Sequence, residues 1–271
     1  MRRDPRHFQI LFQSCFLLYG IFVFGWNEFP LYATYIGTSL GLQAAVQRMR
    51  GEKFDWRSPL ISSFGLCLLL RTPSLSVAAF AAAVSILSKY TLRAGGRHIF
   101  NPSALGIVAA IAVTGNAWIS PGQWGTAMVL VFAVTLFGSI VVTKAQRLST
   151  TVAYLGTFAG LMFARQVGYL GWPLDHFVQT VSTGSLLIFS FFMITDPRTT
   201  PQRPVAAFLW ASGVGAVAFY LVAFKWMPTA PMWVLVAAQP LVPVIDAAPR
   251  WTRQASRWIT ARIGRQVIAP S

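Results

Sequence analysis

The sequence predicts an all-α integral membrane protein of about ten transmembrane segments, arranged as two inverted repeats of five. Three observations carry that expectation. The 271-residue chain is 55% hydrophobic and only 11% charged, against roughly 25% charged residues in a soluble domain. Apolar stretches recur along its whole length, on the scale of the roughly 17–25 residues that a spanning helix needs. Its 22 basic residues fall between those stretches in an alternating pattern, as the positive-inside rule expects.

The first segment, about 8–26, follows Arg2, Arg3 and Arg6. The charged start is like that of a signal peptide, but no small-residue cleavage site follows, so it reads as a retained helix. The second covers 30–47 and is followed by Arg48, Arg50, Lys53 and Arg57. The third, 59–70 (PLISSFGLCLLL), is twelve residues long and ends at Arg71-Thr72-Pro73-Ser74. The fourth, 73–89, leads into Lys89, Arg93 and Arg97, and the fifth covers 102–115. In the second half the sixth segment is 124–143, followed by Lys144 and Arg147, and the seventh is 150–168. The eighth, 182–195, has fourteen residues and stops at Asp196-Pro197; the ninth and tenth are 204–224 and 229–246. Residues 1–118 thus form one repeat, 119–247 the other, and 248–271 a basic tail.

With both termini in the cytoplasm, 19 of the 22 basic residues lie on the inside and only Arg71, Arg165 and Lys225 outside. An odd number of crossings would scramble this asymmetry. The same dispersal argues against nucleic acid as the partner of a chain with net charge +15. The third and eighth segments are too short to cross a hydrocarbon core about 30 Å thick at 1.5 Å per residue. They occupy corresponding places in two halves of five, and each ends in a proline-containing breaker. Paired short segments of this kind point to a site near the membrane midplane. Full helices extended by polar ends are the alternative.

The tail PRWTRQASRWITARIGRQV sets Trp251, Trp258, Ile259 and Ile263 on one helical stripe, which suits the anionic membrane surface; docking to a partner subunit and a frayed end also remain open. Cys15 and Cys67 sit in apolar runs without a CxxC or Cys/His grouping, so they read as small buried hydrophobes. The three histidines, His7, His98 and His176, lie outside the long apolar segments and cannot build two haem-ligating pairs. No GxSxG, HExxH or P-loop pattern occurs, which argues against hydrolytic or nucleotide-driven chemistry.

Asp196 follows the short eighth segment, where an ionisable group is costly and functional by default. Pro197 frees backbone carbonyls that then need partners, such as a ligand or ion. The structural alternative pairs Asp196 with Arg198 or Arg203. Arg71 is the corresponding residue of the first half, either snorkelling outward or facing an anionic ligand. In GRHIFNPSALG, Gly95-Gly96 permits a close turn, Asn101 is a natural N-cap and Pro102 suits the first helical turn. Helix-start physics leaves Arg97, His98 and Phe100 unexplained; beside a helix N-terminus they suit a phosphate or a polar flavin edge.

Three stretches carry a resemblance. SKYTLRAGGRHIFNPSALGIV (88–108), SSFGLCLLLRTPS (62–74) and GSLLIFSFFMITDPRTTP (184–201) resemble the RnfD/NqrB family, whose motifs include an F-N-P element before the fifth helix and a T-D-P-x-T-S-P element after the eighth. The resemblance implies a fold similar to urea and ammonium channels and a subunit of a flavin-dependent electron-transport complex. Such a complex lies in the bacterial inner membrane, works with other redox subunits, and drives Na⁺ or H⁺ movement. Some members carry FMN esterified to a threonine of an S-G-A-T motif; neither that motif nor G-E-T-S occurs here, so FMN or riboflavin is expected to be held non-covalently. The residues that the resemblance assigns to it are Arg71, Arg97, Phe100, Asn101, Pro102, Thr195, Asp196 and Pro197. Arg71 would oppose negative charge on the reduced ring, Asp196 would bond the ring or couple to a cation, and no catalytic or metal-ligating residue is expected. A passive channel for a small neutral solute and an accessory scaffold are the alternatives.

Overall fold

The computed structural model describes residues 4–120 and 128–248; the basic tail predicted over 248–271 lies, but for its first residue, outside them. The first half is built from α1 (Pro5–Phe24), α2 (Phe29–Met49), α3 (Arg57–Leu69), α4 (Leu75–Thr91) and α5 (Pro102–Thr114). The second half has α6 (Met128–Lys144), α7 (Leu148–Phe163), α8 (Leu174–Val181), α9 (Gly184–Ile188), α10 (Pro204–Lys225) and α11 (Ala230–Ala238), then α12 (Leu241–Ala248). Two π-helical turns, Ala164–Tyr169 and Phe189–Met193, continue α7 and α9. Strands are two residues long: β1 (Leu70–Arg71), β2 (Arg93–Ala94), β3 (Arg97–His98) and β4 (Trp118–Ile119).

Local chemistry sets the helix ends. Asp4 caps α1, its carboxylate accepting from the Arg6 backbone N–H at 3.0 Å, with Pro5 in the first turn. Asn101 caps α5 in the same way through the Ala104 N–H at 3.1 Å, with Pro102 following. α3 stops because Leu70 turns extended ahead of Thr72-Pro73, and β1 then pairs antiparallel with β4 in the register Leu70↔Ile119 and Arg71↔Trp118. The β2–β3 hairpin turns on Gly95 and Gly96, with φ of +56° and +80°, which only glycine adopts without strain.

Every predicted segment overlaps a helix, and both short ones end early at their breakers. Unbroken helices long and apolar enough to cross a membrane are fewer than expected. Among the described residues there are two, Arg6–Phe24 and Pro204–Lys225. Two bent pairs, α8 with α9–Met193 at 49° and α11 with α12 at 45°, bring the number to four. The helices of α3, α4 and α5 are 13, 17 and 13 residues long, about 20–25 Å at the α-helical rise. Large apolar side chains nevertheless face outward, Phe22 and Val113 being 80% and 72% exposed. Such a surface suits lipid, not water.

Helices in an apolar solvent gain little from burying greasy faces and pack through small residues instead. α4 meets α5 at Gly106, where a Cβ would strike Ser85 and come within 2.5 Å of the Ala81 carbonyl oxygen. α10 meets α7 at Gly215, where a Cβ would lie 2.9 Å from the Tyr154 carbonyl oxygen. Cys67 is fully buried, as expected, but Cys15 lies on the exposed face of α1, since its helical position points away from the bundle. Gly106→Val should lower thermal stability in detergent by roughly 1–3 kcal/mol through overpacking. Gly41→Ala, with open space around its Cβ position, should cost nothing.

Candidate functional site

A cavity of about 790 Å³ opens at one end of the bundle. Alternate helix ends meet there: the starts of α1, α3 and α5 and the finishes of α2, α4, α6 and the Phe189–Met193 turn all contribute to its wall. It reaches Gly65, two turns into α3. These helix ends also carry Arg6, Lys89, Arg93, Lys144 and Arg198, whereas Arg71, Arg165 and Lys225 do not line it.

The wall is polar where a membrane protein interior is usually apolar. Gln13 and Gln43 are buried, and the Oε1 of each accepts no hydrogen bond. Gln47 Oε1 accepts from the Asp55 N–H at 3.0 Å. Lys89, 8% exposed, donates from Nζ to Ser58 Oγ at 3.1 Å and forms no ion pair among the described residues. A buried ammonium without a carboxylate is costly unless something anionic or strongly accepting faces it. Tyr90, Phe191 and Phe192 add aromatic surface to the wall.

Two ionic networks flank the opening. On one side Arg6 and Arg57 bridge Asp4 and Asp55: Arg6 Nη2 to Asp4 Oδ2 at 2.7 Å, Arg6 Nη1 to Asp55 Oδ2 at 2.7 Å, and Arg57 Nε to Asp55 Oδ1 at 3.0 Å. The Arg6 hydrogen bond holds the Asp4 carboxyl below its ordinary value. Burial pushes Asp55 up, but the Arg57 and Arg6 hydrogen bonds outweigh it and leave that carboxyl lowered too. On the other side His98 Nε2 lies 3.5 Å from Asp196 Oδ2, and Arg97 Nη2 donates to Asp246 Oδ2 at 2.6 Å. Burial raises the Asp196 carboxyl, yet the His98 side chain beside it prevails and holds it low.

Asn101, Pro102, Thr195, Asp196 and Pro197 all line the cavity, so the two motif segments share it. Arg97 and Phe100 sit beside it without lining it, Arg97 being turned toward Asp246. Arg71 stands apart, contrary to expectation. It lies past the far end of α3, roughly 20 Å from the start of that helix at the α-helical rise. There it is buried between the Trp26 ring (4.7 Å to the centroid) and Glu28 (2.9 Å). Asp196 pairs with His98 and accepts from the Arg198 backbone N–H at 3.0 Å; the Arg198 and Arg203 side chains form no ion pair with it.

The carbonyls freed by Pro197 find partners within the chain. Asn101 Nδ2 donates to the Met193 carbonyl at 3.3 Å, and Thr200 Oγ1 is 3.0 Å from the Ile194 carbonyl and 2.7 Å from that of Asp196. Four cavity residues, Lys89, Gln13, Gln43 and Gln47, were not expected from the sequence. The signal was there in the pairs Gln9/Gln13 and Gln43/Gln47, each four residues apart in an apolar segment and hence on one helix face.

Broken helices, an outward apolar surface and a polar cavity sunk into one end define a helical membrane protein with a polar cavity between its helices. The chain belongs to the NQR2, RnfD, RnfE family, whose sequence model matches residues 110–254, just over half of the chain. That span contains the Thr195-Asp196-Pro197 motif; the Asn101-Pro102 motif precedes it. Among curated proteins none is similar enough to match.

Because Asp4 and Asp55 both sit below their ordinary values when folded, their network stabilises the chain above about pH 4 and loses that effect as the pH falls through the lowered folded values. The double variant Asp4→Asn/Asp55→Asn should lose about 0.5–1 kcal/mol at neutral pH, these groups being partly exposed. Thermal melts should show its deficit against the parent chain shrinking toward pH 3.

Proposed function

We propose that the protein is a membrane subunit of an electron-transport complex of the Rnf or Nqr type. It crosses the bacterial inner membrane ten times in two inverted halves, has both termini in the cytoplasm, and holds a flavin non-covalently in the cavity. The observation that carries this reading is the buried Lys89 amine, hydrogen-bonded to Ser58 and in no ion pair within 4 Å among the described residues, in a cavity built jointly by the Asn101-Pro102 and Thr195-Asp196-Pro197 segments. Neighbour relations support the inverted halves: α1 packs on α3 as α6 packs on α9, α2 on α4 as α7 on α10, and α4 on α5 as α10 on α11. Short helices then cross as members of a bundle, with their broken ends buried in protein.

The wall suits the ring. Flavin presents an imide N–H between two carbonyls; Gln13 and Gln43 offer unpaired carbonyl acceptors and Lys89 a donor. Bound there, flavin supplies one- and two-electron transfer. Lys89 takes the role first expected of Arg71, placing positive charge where added electrons put negative charge. Asn101 and Thr195 fix the helix ends that shape the wall, and the Phe191 and Phe192 rings exclude water from one side. His98 with Asp196 provides a proton-holding pair at the opening. Other redox subunits supply the electrons and take them away. Coupling to Na⁺ or H⁺ movement belongs to the same proposal.

The protein purified in mild detergent should carry flavin, read by visible absorbance and mass spectrometry. Lys89→Met should reduce occupancy by roughly tenfold, the loss of one hydrogen-bonded charge. Arg71→Met should leave it unchanged in the folded fraction. Flavin-free protein, or full occupancy in Lys89→Met, would sink the proposal. The topology has its own check in a cysteine-free background: Arg50→Cys should label from the cytoplasm and Trp226→Cys from outside. Labelling from the same side would rule out the ten-span arrangement.

A further inference from the structure

The end of the bundle opposite the cavity holds a second, smaller one of about 180 Å³. It lies between the α8–α9 bend and the α10–α11 turn, walled chiefly by Ile119, Phe158, Leu186, Phe189, Val222 and Met232. The wall is mostly hydrocarbon, with Thr180, Thr183, Ser185 and Thr229 adding hydroxyls at intervals. A polar solute gains nothing there, whereas an alkyl chain fits.

The surroundings have the character of a membrane interface. No residue of α8 is buried, and Tyr169, Trp172 and Trp226 are exposed around it. Such aromatic side chains settle at the head-group level. Two cations stand beside the pocket. Lys225 ends α10 three residues beyond Val222, and the Arg165 guanidinium lies 3.9 Å from the centroid of Phe224. Neither makes an ion pair among the described residues, whereas Arg71 at this end is neutralised by Glu28. Gln166, 7% exposed, donates from Nε2 to the rim hydroxyl of Thr180 at 3.3 Å, and its Oε1, on the same amide, accepts no hydrogen bond. Apolar pocket, unpaired cations and an open acceptor occur together within one interfacial patch.

We propose that this patch binds an anionic phospholipid whose head group bears hydroxyls. One acyl chain enters the pocket, the phosphate lies against Arg165 and Lys225, and a head-group hydroxyl donates to Gln166 Oε1. The site does not depend on the flavin reading, so either can fail alone.

The test uses delipidated full-length protein titrated with phosphatidylglycerol or phosphatidylcholine, with bound lipid counted by native mass spectrometry and stability read by thermal shift. Phosphatidylglycerol should bind preferentially. Arg165→Gln/Lys225→Gln should weaken that binding by roughly thirtyfold, about fivefold per interfacial cation, and bring it to the phosphatidylcholine level. Met232→Trp, which fills the pocket, should abolish tight binding of both lipids; should that variant not fold, Val222→Phe makes the same test from the half-buried wall. Equal binding of the two lipids, an undiminished preference in the double variant, or an unchanged lipid count in the filled-pocket variant would each overturn the proposal.

Discussion

Asn101 ties three helical elements together at one point. Its Oδ1 caps α5, its Nδ2 binds the Met193 carbonyl at the end of the broken eighth segment, and its own backbone N–H donates to Gln239 Oε1 at 3.0 Å between α11 and α12. All three bonds are buried. In a low-dielectric interior each satisfies a group that would otherwise be left costly and unpaired. The β3 ion pairs brace the same junction: His98 reaches the loop after α9, and Arg97 reaches α12. The cavity exists because these helix ends are fixed to one another and not to a continuous helix.

Much of this was legible in the sequence, and for physical reasons. Proline, glycine and asparagine punctuate helices through local chemistry, so Asn101-Pro102, Pro73 and Pro197 marked real boundaries. Apolar runs marked the helices between them. The residues Arg97 and His98, left over by helix-start physics, proved to be tertiary: their partners lie 149 and 98 positions further along, a separation that no local pattern encodes. Helix α8 was missed because Leu174–Val181 mixes Asp175, His176 and Gln179 with apolar residues, and an amphipathic helix at an interface gives no apolar run to find.

Arg71, which lies away from the cavity, is instructive beside Lys89, which lines it. In the sequence Arg71 stood out as a lone cation ending a short segment, while Lys89 counted with Arg93 and Arg97 toward the cytoplasmic charge. Their difference lies in neighbours: Arg71 is stacked on Trp26 and paired with Glu28, while Lys89 meets only Ser58. A neutralised guanidinium anchors a helix break. The Lys89 amine faces the cavity without such a contact, and the uncapped amide carbonyls of Gln13 and Gln43 add acceptors to the same wall. Sequence position sets which end of the bundle a charge occupies; only packing sets whether that charge is spent.

The Arg97–Asp246 pair also has a bearing on biogenesis. Its partners lie 149 positions apart in the chain, and Asn101 and Gln239 lie 138 apart. During synthesis the first five helices must therefore form with the start of α5 lacking its later partners, and the hairpin holding Arg97 must wait for α12 to emerge. Insertion of individual segments and closure of the cavity are separate events in time. The cavity end is then the last part of the molecule to mature.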